Sequence, residues 1–285
     1  MAQVKEQKED LRGKALKAKD LVGYDKGAVV SRLLMKPDKA YLEKAYREFN
    51  KPEFIHPDPL EFVWRYISGA DREVAGLIAA CLAYGNVTQI LKSVEKVLSP
   101  MGTSPSAWLR NTGPETIRKS FKTFKHRFTT GAELAVFLLN IKRAAEKHGS
   151  LEKLFLEGYD RDETTVENAI YKFINSFNAI GCAPSLTPCP EHKSSFKRVN
   201  LFLRWMVRKD AVDPGVWTGV SPAKLIIPLD THMHQVSIRL GITARKDTSM
   251  KTAAEITTYF RKVSPGDPVK YDFSLTRAGI RANNV

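Results

Sequence analysis

Between residues 72 and 98 the apolar side chains return every three or four positions, in two runs separated by a Gly-Asn pair. In "REVAGLIAACLAY" they are Val74, Leu77, Ile78, Cys81 and Leu82; in "VTQILKSVEKVL" they are Val87, Ile90, Leu91, Val94, Val97 and Leu98. Residues three and four apart share a helix face, so the spacing predicts two amphipathic helices joined by a tight turn. Asp71 stands where it could cap the first, and Gly85-Asn86 reads as a left-handed stop between them. A chain built from such units must bury helix against helix.

The same period recurs along the chain. Tyr41, Leu42, Ala45, Tyr46 and Phe49 predict a helix over 37–49, and "PLEFVWRYI" opens another with Pro59 in its first turn. Further helices are expected over 114–124, 131–147, 151–157, 163–178, in "FKRVNLFLRWMVRKD", after Asp230, over 249–263 and over 267–279. Prolines break the pattern in "NKPEFIHPDP", "SPMGTSPS" and "NAIGCAPSLTPCPEHKSS". Strand alternation is short and weak, so the expected class is all-α. Residues 1–36 read as a charged N-terminal extension and 37–285 as a single helical domain with two subdomains.

No apolar run approaches the roughly 20 residues that span a bilayer, and the N-terminus lacks the apolar core of a secretory signal. A cytoplasmic protein with no membrane partner is expected. The three cysteines do not suggest a disulfide framework, and a four-thiolate iron–sulfur cluster would need one more. Cys182, Cys189 and His192 are irregularly spaced for zinc, so neither metal nor cofactor is expected.

The formal charge is +14, and residues 1–32 carry only +3 of it. The body of the chain is therefore basic in its own right, which points to a polyanionic partner. Lysine and arginine gather in "IRKSFKTFKHRF", "HKSSFKR", "RWMVRK" and "SLTRAGIRANN", each a candidate for phosphate contacts.

Two stretches carry chemistry. In "IIPLDTHMHQVSIRLGI", Asp230 precedes a helix-like run that stops at Gly241, as an N-cap would. His232 and His234 would share a face on a strand but diverge on a helix, which disfavours a joint metal. In "KRVNLFLRWMV", Lys197 opens a helix that buries Val199, Phe202, Leu203 and Met206. A lysine at such a start is either a solvated or phosphate-binding cation or, as a neutral amine, a nucleophile.

Together these pieces resemble the helix-hairpin-helix superfamily of DNA glycosylases. "LDTHMHQVSIRLGI" is similar to the superfamily's late signature, an aspartate opening a helix, and the match covers Leu229, Asp230, Thr231, His232, Val236, Arg239, Leu240 and Gly241. "DREVAGLIAACLAYGNVTQILKSVEKVL" looks like its early helix pair and "YDFSLTRAGI" like its closing helix. The resemblance spans roughly residues 40–281. It looks closest to a bacterial branch and, more distantly, to archaeal 8-oxoguanine DNA glycosylases. Two features depart: "PCPEHKSSF" replaces the glycine-rich hairpin, and 33 residues separate Lys197 from Asp230.

The resemblance implies a two-lobed helical fold with a cleft between the lobes. It implies a nucleoid-associated enzyme, expected as a monomer, acting on double-stranded DNA with a damaged base. The base would be flipped out and excised with Schiff-base lyase chemistry. Lys197 would be the nucleophile, with Lys193 as the fallback, and Asp230 would stabilise the developing sugar cation. His232, Asn86, Lys193 and Arg198 would contact DNA. Two other functions compete: a non-catalytic nucleic-acid-binding protein on the same scaffold, and a metal-dependent hydrolase using Asp230, His232 and His234.

Overall fold

The computed structural model describes residues 37–188 and 195–282, with side chains through Ala278. The expectations for residues 1–36, Cys189, His192 and Lys193 fall outside those residues.

Thirteen α-helices follow one another among the described residues: α1 (Lys39–Phe49), α2 (Glu61–Trp64), α3 (Gly69–Leu82), α4 (Val87–Leu98), α5 (Pro105–Asn111), α6 (Pro114–Ser120), α7 (Gly131–His148), α8 (Leu151–Leu156), α9 (Glu167–Phe177), α10 (Lys197–Val207), α11 (Thr231–Arg239), α12 (Met250–Val263) and α13 (Asp272–Ala282). Between α6 and α7 stands a hairpin of β1 (Lys125–His126) and β2 (Thr129–Thr130), paired antiparallel. The expected all-helical class therefore holds, with one small hairpin the sequence reading had not included.

Helix α3 is the centre of the fold. Eleven of its residues are buried, and it packs most closely on α10, with α2, α4 and α5 around it. Gly76 permits the closest approach: a Cβ there would stand 2.9 Å from Met206 Cε and 3.5 Å from Phe202. Around this pair, α7 packs on α8 and α9, while α13 closes against α1 and α11. Trp205, Trp217, Tyr271 and Phe273 are all buried, so these aromatics serve the core.

Three local expectations change. Asp71 does not cap α3, which begins two residues earlier; its carboxylate accepts from Ser104 Oγ, Ser106 N and Ser106 Oγ, tying α3 to the start of α5. The helix read from Pro59 is confined to the single turn of α2. Asn86 is not in a left-handed conformation. Gly85 takes that role at φ 97°, which leaves Asn86 extended and free to cap α4 through Thr88 N.

Candidate active-site cleft

Lys197 is the first residue of α10 and is half-buried. Phe196 precedes it at φ 46° and offers no side-chain cap bond of its own, and the helix start carries the positive end of the helix dipole. A cleft of about 350 Å³ lies against this helix start, lined by Tyr84, Phe128, Ser185, Phe196, Lys197 and Arg198 among others. Four segments distant in sequence thus meet: the α3–α4 turn, the β-hairpin, the loop before α10 and α10 itself.

A chain of hydroxyls holds the segments together. Tyr84 Oη donates to the His126 carbonyl at 2.9 Å. Its oxygen is then free to accept from Thr129 Oγ1 at 2.5 Å, and Thr129 in turn accepts from Ser185 Oγ at 2.6 Å. The order follows because a carbonyl only accepts. His126 completes the lock. Its Nε2 faces the Tyr84 carbonyl at 3.1 Å and must donate, so Nδ1 accepts from Ser93 Oγ at 2.8 Å. Burial holds this imidazole below its ordinary range, and the neighbouring Arg127 acts in the same direction.

Gly85 is part of the same fit. Arg127 packs so closely that a Cβ on Gly85 would stand 2.8 Å from the arginine Cδ. Arg198 is occupied internally. Its Nη1 donates to the Cys81 carbonyl at 2.9 Å and to the Ser185 carbonyl, and its guanidinium lies 5.2 Å over the Tyr84 ring. It ties the α10 start to the last turn of α3, where carbonyls lack helical partners.

Asp230 caps α11, accepting from Met233 N at 2.7 Å. His232 is exposed in the first turn of that helix. His234 is buried, with Nε2 against the Arg245 carbonyl at 2.8 Å, so the two histidines diverge. Among the described residues no group of three or more histidines, cysteines and carboxylates is placed to hold a metal.

The acidic neighbour of Asp230 is Asp272, a buried carboxyl pushed up to about 6 by burial, with Asp230 adding to the rise. Asp272 pairs with Arg204 near the far end of α10. That arginine lies seven residues beyond Lys197, about 10 Å along the helix axis. Among the described residues no ion pair joins Lys197 to Asp230.

The far end of α10 also corrects the reading of "RWMVRK" as a phosphate-binding run. Arg204 and Arg208 are buried, and Asp213, fully buried, pairs with both. Arg208 also reaches Asp210 and Asp267, each at 2.8 Å. Arg277, from "SLTRAGIRANN", pairs with Asp58. In "IRKSFKTFKHRF", Arg118, Lys119, Lys122, Lys125 and Arg127 are all at the surface, Arg118 paired with Glu115, and Lys209 at the end of "RWMVRK" is exposed as well.

Tyr84, Phe128 and Ser185 were not singled out from the sequence. The only signal for the hairpin was "TGAE", a capping box that starts α7 at Thr130 and so ends the preceding strand.

The fold and cleft define an all-helical protein whose central helix pair opens at one end into a basic, aromatic-lined cleft. The chain belongs to a family described as a protein of unknown function (DUF2400), which matches residues 58–281 and so takes in Asn86, Lys197, Asp230 and His232. No curated protein and no solved structure matches the chain. No helix among the described residues is long and apolar enough to cross a membrane.

Proposed function

We propose that this protein is a DNA glycosylase with a lyase step, built on a two-lobed helix-hairpin-helix scaffold. The observation that carries the reading is Lys197 in the wall of the aromatic-lined cleft, at the start of α10. A base in duplex DNA has its glycosidic carbon shielded by the stack and must be extruded before attack. A cleft with tyrosine and phenylalanine in its wall accepts a flat apolar face.

Lys197 as the neutral amine attacks the sugar C1′, the glycosidic bond breaks, and the base leaves with its bonding pair and a proton. Ring opening, with the C1′–O4′ bond broken and O4′ taking a proton from water, then gives an iminium between Lys197 and the sugar; loss of a C2′ proton to water expels the 3′ phosphate with its bonding pair. Asp230, fixed by its cap bond, supplies negative charge to the sugar cation as it develops. His232 and the helix starts bearing Asn86 and Lys197 would meet phosphates. Arg198 acts by holding the cleft wall, and an 8-oxoguanine-like base is the first substrate to try.

A second reading, a non-catalytic nucleic-acid-binding protein, is favoured by one observation: Asp272, the like-charged neighbour of Asp230, pairs with Arg204 rather than with Lys197. Borohydride trapping separates the two. With duplexes carrying 8-oxoguanine, uracil or an abasic site, the wild type should form a covalent adduct that Lys197→Ala abolishes. An adduct surviving in Lys197→Ala but lost in Lys193→Ala moves the nucleophile to Lys193. Neither adduct nor base release from these duplexes would leave only the binding function.

A further inference from the structure

A second cavity, of about 160 Å³, lies against the start of α3, at the other end of that helix from the Lys197 cleft. Ala70 in its wall and Leu82, the last residue of α3, are about 18 Å apart along the helix axis. We propose that this cavity is a separate binding site for a small organic acid: one carboxylate on a body the size of a single ring or a branched chain. It stands whether or not Lys197 is a nucleophile.

Size sets the body of the ligand. The walls come from α3, α5, α7 and the start of α8. Val74, Leu109, Ile141 and Leu151 give it buried apolar faces, while Ala70 and Ala145 are exposed and frame the mouth. An apolar cavity of about 150 Å³ holds one benzene ring, so the space suits a phenyl group or a leucine-sized chain.

The walls are fixed by polar ties. Asp71 joins α3 to the start of α5 through Ser104 and Ser106. Glu73 joins α3 to the start of α8, accepting from Leu151 N at 3.2 Å and Glu152 N at 3.1 Å, and from Trp217 Nε1 at 2.6 Å. Lys142 joins α7 to α5, donating to the carbonyls of Leu109 at 2.9 Å and Arg110 at 2.6 Å, where the helix end leaves carbonyls free. Collapse of the cavity would pull a charged group off its partners, which is costlier than keeping the space.

Charge sets the head of the ligand and its direction. The charged residues in the lining are Glu73, Arg110, Lys142 and Glu146. Lys142 and Glu146 pair at 2.9 Å and offset each other. Glu73 is buried, so a carboxylate turned inward would face a like group. Arg110 is exposed, and among the described residues no hydrogen bond or ion pair engages its guanidinium. An acid that enters apolar end first leaves its carboxylate at the mouth, within reach of that planar fork. An amine in the same pose meets a like charge. Turned inward, it would compete with three N–H donors for Glu73.

The test is saturation-transfer NMR on the full-length protein with phenylacetate, and with phenethylamine and phenylacetamide for comparison. Phenylacetate should receive transfer, stronger at its ring protons than at its methylene, and should bind several-fold more tightly than either comparison compound. Ala145→Trp and Ala70→Trp, which fill the mouth from opposite walls at exposed positions, should abolish the transfer while keeping the thermal midpoint of the wild type. Arg110→Gln should weaken phenylacetate to the level of phenylacetamide. No transfer with wild type overturns the site. Full transfer in both filled variants also overturns it, because the probe would then sit elsewhere, the Lys197 cleft included. Phenethylamine binding as well as phenylacetate, or an unchanged affinity in Arg110→Gln, overturns the choice of an acid.

Discussion

The runs "IRKSFKTFKHRF" and "RWMVRK" read alike in the sequence, yet the cations of one lie on the surface around the hairpin, while Arg204 and Arg208 of the other are folded into the core and Lys209 alone of that run is exposed. The difference is the company each keeps. Around Arg204 and Arg208 the chain brings Asp210, Asp213, Asp267 and Asp272, carboxylates from two separate stretches. Among the described residues no ion pair reaches Lys119, Lys122 or Lys125, and those side chains are exposed. Buried guanidinium groups are tolerated because each has paired oxygens, and removing one partner leaves a charge without either water or an ion. A count of basic residues therefore overstates the surface available to a polyanion.

The sharpest way to break the comparison is to remove the shared acid. Asp213→Ala should cost about 3–5 kcal/mol, read as a fall in the urea midpoint, because both arginines lose a partner that is fully buried. A loss below about 1 kcal/mol would mean that water reaches these arginines and that the core assignment of "RWMVRK" fails.

The opposite behaviour is expected at the hairpin. Replacing Lys119, Lys122, Lys125 and Arg127 together by glutamine should leave the thermal midpoint near that of wild type, because these side chains are exposed. If all four meet phosphates, the slope of log affinity against log salt should become shallower by about 3–4, at about 0.9 per contact. An unchanged slope would place the duplex elsewhere on the protein.

The helices themselves were legible because each spends an apolar face on its neighbours. Val74, Leu77, Ile78, Cys81 and Leu82 are buried as their spacing implied. Asp230 as a cap was legible too, since the carboxylate acts within three residues. The Lys197 helix start could be read for the same local reason.

What was missed is non-local or lacks a marker. The hairpin turns on Arg127 and Phe128, without the Gly, Asn or Asp that usually signals a two-residue loop. The part played by Tyr84 depends on partners more than forty residues away. Gly85 and Asn86 looked like one stop signal, but the glycine takes the positive φ alone and the asparagine belongs to the next helix. No spacing rule reveals that Arg198 binds the carbonyls of Cys81 and Ser185 while its neighbour Lys197 faces the cleft.

The smallest expected effect, and the most local, is a dependence of the hairpin on pH. His126 is neutral in the fold: burial disfavours its cation, and Arg127 adds a like charge. Unfolded or detached, the ring titrates near its ordinary 6.5, so below that value the open form binds a proton that the closed form resists. Its contribution to stability is therefore complete above about pH 6.5 and is lost as pH falls toward the lower, folded value. Amide exchange across residues 125–130, corrected for the intrinsic rate, should show weaker protection at about pH 5.5 than at about pH 7.5. His126→Gln should flatten that dependence. Equal protection of the hairpin at the two pH values in wild type would mean that the imidazole does not hold the Phe128 tip, and the brace would then rest on Tyr84, Thr129 and Ser185 alone.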